Sequence, residues 1–199
     1  MTFRPRPMIA ALLLLAAFPL FGEIIDRIVV VVDNKFIITL SDIRKARVIE
    51  SAFGSDLGSD EAVADFLVEK HLVEEQIAQF RTFEIPDALV AERLQAIRTP
   101  VGVSDREIRD AVVAKLRRTE FTKQRFGQFI PVSDEELRNY YEKILIPELR
   151  LRGEAIPPLE NEKVAAAVRE YVILERMLGE FNDWLAELKG RATIEKIPQ

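Results

Sequence analysis

Residues 24–32 form a β-branched run, with Ile24, Ile25 and Ile28 to Val32, that stops at Asp33 and Asn34, and Phe36, Ile37, Ile38, Thr39 and Leu40 follow directly. Two such runs around a turn pair predict a β-hairpin, because branched side chains fit a pleated surface. A hairpin alone is marginal in water. The other segment rich in branched residues is 193–197, so a third strand is expected there, pairing with the hairpin.

Between these strands apolar residues recur at three- and four-residue spacing, the pattern of amphipathic helices. Ser41 can cap a first helix running to about residue 52, halted by the loop 54–59. A second covers 60–83, with Val63, Phe66, Lys70, Val73, Ile77 and Phe80 on one side. A third opens at Pro86 and Asp87 and ends before Pro100 and Gly102. Ser104 with Glu107, and Ser133 with Glu136, have the spacing of capping boxes, in which two side chains satisfy orphan amides at a helix start. Behind the first, Ile108, Val112, Leu116 and Phe126 keep one stripe to about Gly127. Phe121 lies about 140° around from Leu116 and faces either another helix or an open groove. Behind the second box a helix runs through Tyr140 and Tyr141 toward Leu145. Pro147, Pro157 and Pro158 then mark 146–160 as a linker. The longest helix spans 160–188 and is ended by Gly190. Its main face carries Val164, Val168, Tyr171, Leu174, Leu178, Phe181, Leu185 and Leu188, while Ile173, Met177 and Trp184 fall together on the opposite side. A helix apolar on two sides is either packed between helices or presents a surface to a partner.

The first 22 residues fall outside this pattern. Arg4 and Arg6 precede an uncharged apolar run of about 14 residues, too short for the roughly 20 that a bilayer requires. The combination has the form of a secretory signal peptide, 1–22, cleaved after Gly22. On that reading the chain is exported, and the mature part has no membrane span.

Composition narrows the chemistry. The 199 residues carry a formal charge of −5, no cysteine and one histidine, His71. Disulfides, cysteine nucleophiles and thiolate metal sites are excluded. Removing 1–22 takes away two arginines and no acid, so the mature chain is more acidic still, which disfavours nucleic acid as a partner. His71 lacks the second histidine of a zinc-protease helix and is expected to be structural. The acidic stretch 56–61 has calcium-loop residue types at the wrong spacing and is expected to be a loop and helix cap. Neighbouring acids such as Glu74 and Glu75 point different ways on a helix, so no converging acid–base pair is displayed. No glycines stand in a G-x-G arrangement for a phosphate. Lys115, Arg117, Arg118, Lys123 and Arg125 are expected to form a solvated helix side. No catalytic residue, cofactor or metal is assigned.

The hairpin 26–42 behind an export signal, followed by helices, resembles the amino-terminal domain of SurA-type periplasmic chaperones. The segment 130–142, with Pro131, Ser133, Asp134, Glu135, Glu136, Tyr140 and Tyr141, is similar to the stretch that precedes a parvulin prolyl isomerase domain in that family. Residues 181–197 are similar to its carboxy-terminal helix and strand. The resemblance implies a mainly α fold of the SurA amino-terminal type. The helical domain 23–145 and a carboxy-terminal part, 161–199, would pack together, with a small sheet made of the hairpin and the last strand. It departs from the family at 146–160, which is far too short for a parvulin domain, so prolyl isomerase activity is expected to be absent. The function implied is an ATP-independent periplasmic holdase for unfolded secreted proteins, chiefly outer-membrane proteins, which binds clients in an apolar groove. The residues assigned to that groove are Phe121, Tyr140, Ile173, Met177 and Trp184. The alternative is a non-catalytic scaffold that docks one folded envelope partner.

Overall fold

The structure of the protein, a computed structural model, describes residues 26–80, 84–128 and 130–198. The expected signal peptide lies outside them, as do Ile24 and Ile25 of the expected first strand. The described chain is mainly helical, with one small antiparallel sheet.

Strand β1 (Ile28–Val32) pairs with β2 (Phe36–Thr39) through a turn in which Asp33 and Asn34 both have positive φ, 50° and 55°. Lys35 N donates to Val32 O at 3.0 Å, closing a turn of the mirror-image kind that matches strand twist. The third strand, β3 (Ile194–Lys196), pairs antiparallel with β1 from the other side, Val31 opposite Glu195, giving the order β2-β1-β3. The expected three-stranded sheet is therefore present. The Asp33 carboxylate accepts from Thr193 N at 2.7 Å, so the hairpin turn also anchors the incoming strand. Central β1 buries Val30 and Val32 completely.

Helix α1 (Leu40–Ser51) follows β2 without a gap. Its N-cap is Thr39, paired with Asp42 in a capping box, and not the expected Ser41. Thr39 ends the strand in extended geometry, which a cap requires, whereas Ser41 sits inside the first turn and donates its hydroxyl to the Asp26 carboxylate. Helix α2 (Asp60–Gln79) is capped by Ser59 and stops at Phe80, short of the expected 83. Its buried positions are Val63, Ala64, Val68, Leu72, Val73 and Ile77. Phe66 and Lys70, placed on that face by the sequence, are half-buried beside it. His71 stacks on Phe36, with ring centroids 3.8 Å apart. Helix α3 (Asp87–Gln95) is shorter than expected, and α4 (Asp105–Phe126) starts at the Ser104–Glu107 capping box.

The largest correction falls on 146–160. Helix α5 (Asp134–Tyr140), capped by Ser133 and Glu136, passes into a π turn (Tyr141–Leu145) and then into α6 (Ile146–Arg152). The expected linker is thus helical for its first half. Pro147 is tolerated because it occupies the first turn of α6, just where hydrogen bonding has shifted by one residue and Ile146 N reaches Tyr141 O. Gly153, at φ 67°, ends α6 in the left-handed conformation. Helix α7 (Glu162–Arg191) runs straight through Gly190 and ends when Ala192 turns extended toward β3. The glycine does not stop it, because strand pairing beyond Ala192 sets the boundary.

Packing divides into three groups. The main core joins the sheet, α1, α2, the last turns of α4 through Phe121 and Phe126, and the second half of α7 from Met177 to Leu188. Val90, Ile108 and Val112 bury a smaller contact between α3 and the start of α4. Leu137, Val168 and Val172 bury a third, where α5 lies along the first half of α7. Tyr141 Oη donates to Pro157 O at 2.7 Å, and Arg176 Nη1 to Pro131 O at 2.6 Å, fastening this helical arm at both ends.

Candidate peptide-binding cleft

Helix α4 is the element around which open space collects. Its 22 residues span about 33 Å. The start is held by Glu107, whose carboxylate accepts from Ser104 N at 2.8 Å and pairs with Lys45. Lys45 first, then the Ser104 donors, lower the Glu107 pKa to about 2. Acids in the first turn and Lys123 and Arg125 in the last match the helix dipole.

Four clefts surround this helix. The largest, about 540 Å³, lies between the end of α1, α3 and α4, with Phe53, Ile97, Val112 and Leu116 as its apolar lining. A second of about 340 Å³ opens between α1, α2 and α4 beside Phe66 and Ala114, and shares Lys115 and Thr119 with the first. A third of about 480 Å³ shares Arg93 and Leu116 with the first, and a fourth of about 460 Å³ shares Glu74 and Ala114 with the second. Because each borders the next, they form a continuous surface around α4. Small residues, Ala111, Ala114 and Thr119, leave the space that larger side chains would fill.

Charge inside the surface is organised by one pair. Glu50 is only 6% exposed as a residue, its carboxylate receives Lys115 Nζ at 2.6 Å, and the same ammonium lies 4.5 Å from the Phe53 ring centroid. A buried carboxylate needs such a partner. Arg118 borders the second cleft and lies over the Phe181 ring. Burial lowers its pKa, opposed by Glu69, Glu74 and Glu50, and a guanidinium stays charged throughout.

The five residues assigned to a groove from the sequence do not come together on this surface. Phe121 is 1% exposed and packs against Phe80, Phe126 and Trp184, with centroid distances of 5.5, 6.4 and 5.5 Å. Trp184 is buried among Phe121, Phe126 and Phe181. Met177 is buried against Gly127, where an added Cβ would stand 3.2 Å from its Sδ. These three are core residues, a correction whose reason is that α4 and the sheet-bearing body cover the second face of α7. Ile173 is half-buried between the two packed faces of α7. Tyr140 is half-buried on the arm, parallel to Tyr171 with centroids 6.5 Å apart. Burial, then Glu175, raises its pKa.

Sequence reasoning missed Phe53, Arg93 and Ile97, and placed Leu116 only on the apolar stripe of its helix. Phe53 and Ile97 sit just past helix ends, where periodicity carries no signal, and only the small residues at 111 and 114 hint that this side of α4 is hollow. Among the described residues, no group of three or more metal-ligating side chains is placed to hold an ion, and no helix is long and apolar enough to cross a membrane.

Fold and site define a mainly helical protein with a three-stranded antiparallel sheet and an open, largely apolar surface around one helix. No protein-family model, curated protein or solved structure matches the chain.

Proposed function

We propose that the protein is an ATP-independent chaperone of the SurA type, a holdase that shields unfolded secreted or outer-membrane proteins in the periplasm and releases them without a nucleotide. The observation that carries this reading is the run of adjoining clefts around α4. An elongated apolar surface suits a stretch of chain better than a compact small molecule. Shielding follows from removing client apolar area from water at roughly 25 cal/mol per Å². Shallow clefts keep that gain small enough for release. Residues 146–160 hold α6 and a loop where the family carries its isomerase domain, so this reading includes no prolyl isomerisation.

The test is aggregation of several unrelated denatured proteins, one an outer-membrane barrel, in the presence of the purified full chain without nucleotide. Suppression across clients is expected, weakened several-fold by Ile97→Ser with Leu116→Ser at an unchanged thermal midpoint. No suppression at several-fold molar excess would sink the reading and favour a scaffold with one folded partner.

A further inference from the structure

The largest cleft differs from the three that adjoin it around α4. Its described lining holds two cations, Arg93 and Lys115, and no carboxylate. The others carry Glu50 and Glu74, Glu84 and Glu120, or Glu74 and Glu84. The two cations are also unlike each other. Lys115 is engaged by Glu50 and lies over Phe53, so its charge is spoken for. The Arg93 guanidinium is exposed and makes no ion pair or hydrogen bond among the described residues. It stands on the rim that the largest cleft shares with its neighbour.

An apolar floor beside an unengaged guanidinium has a definite chemical complement. We infer that the cleft between α1, α3 and α4 selects segments of unfolded chain in which an apolar side chain lies next to an aspartate or glutamate. The apolar group rests against Phe53, Ile97 and Leu116, and the carboxylate meets Arg93, whose planar fork matches it in two hydrogen bonds. This rests on the chaperone reading and names the client chemistry of its main cleft. Apolar contact supplies affinity that varies little with sequence, and the charge ranks the clients. The whole-chain charge of −5 opposes acidic segments at a distance, so a preference for them is attributable to a local cation.

The test is fluorescence anisotropy of the full chain with three labelled peptides sharing one apolar core flanked by Glu, Gln or Lys. All are acetylated and amidated so that no terminal charge contributes. The Glu peptide is expected to bind about two- to fivefold more tightly than the Gln peptide, the Lys peptide most weakly, with the differences shrinking as salt rises. Arg93→Ala should level Glu with Gln, and Arg93→Glu should place Lys first, at unchanged circular dichroism. A second set of Gln peptides with free carboxy termini separates side-chain from terminal carboxylates, and tighter binding of that set alone overturns the side-chain assignment. Equal affinities alongside suppressed aggregation overturn the charge selection and leave the holdase reading in place. A ranking that survives Arg93→Glu, or suppression without binding of any peptide, also overturns it. Failure of both suppression and binding overturns the chaperone reading together with this inference.

Discussion

Glu107 holds the start of α4 by two routes, accepting from the Ser104 amide and hydroxyl and pairing with Lys45. Its pKa in the folded protein is about 2, against an ordinary value of 4.5. A group whose pKa is depressed by folding binds more protons unfolded, so its contribution is complete above pH 4.5 and is lost as pH falls through about 2. The thermal midpoint should therefore fall between pH 4.5 and 2, and Glu107→Gln should remove part of that fall while lowering the midpoint near neutrality. Melting curves across this range in wild type and variant check it, and identical pH profiles would contradict the assignment. The capping box itself was legible in Ser104 and Glu107 three residues apart. The Lys45 pairing was not, because it joins residues from two helices.

Both long helices change packing partner midway, and α7 changes its buried face as well, which accounts for the residues of that helix that sequence periodicity misplaced. Helix α7 buries Val168 and Val172 against α5, then Met177, Phe181, Trp184, Leu185 and Leu188 against the body on nearly the opposite side. Helix α4 buries Ile108 and Val112 toward α3, then Phe121 and Phe126 toward the main core. A 30-residue helix is about 45 Å long, more than any single neighbour here can cover, so each half takes a different partner. The second apolar side of α7 was visible in Ile173, Met177 and Trp184, and both explanations of it, packing and display, were consistent with the pattern. Contacts decide for packing at Met177 and Trp184, while Tyr171, Leu174 and Leu178 from the supposed main face are exposed. Trp184→Ala should accordingly cost about 3–5 kcal/mol of stability, measured by denaturant unfolding, through the void left among three phenylalanines. A variant as stable as wild type would show that the ring is not a core element.

Taken whole, the molecule is a body built on the sheet and α2, with α3 and a helical arm attached by small contacts. The arm, α5 through α6 with the first half of α7, contributes no residue to the main core and buries only Leu137, Val168 and Val172 of its own. Leu151 on α6 is 89% exposed. Regions with few buried contacts open at lower free energy than the core. Amide hydrogen exchange should therefore be faster across 134–160 than in α2 or β1, and Val172→Ala should accelerate it in the arm while leaving β1 unchanged. Uniform protection across arm and body would mean that the two unfold as one unit.

Several features needed nothing beyond the sequence, because each depends on neighbours within a few residues. The hairpin turn at Asp33 and Asn34, the capping boxes at Ser104 and Ser133, and the mainly helical class are of this kind. That a third strand at 193–197 joins the hairpin was legible too, since branched residues occur in so few places, while its pairing with β1 and not β2 was decided by the fold. Tertiary structure alone decided which apolar face of each long helix is covered, that Phe121 and Trp184 share one buried aromatic cluster, and that the hollow lies around α4. Helical spacing says that residues share a side, but only the positions of the other helices determine whether that side meets protein or water.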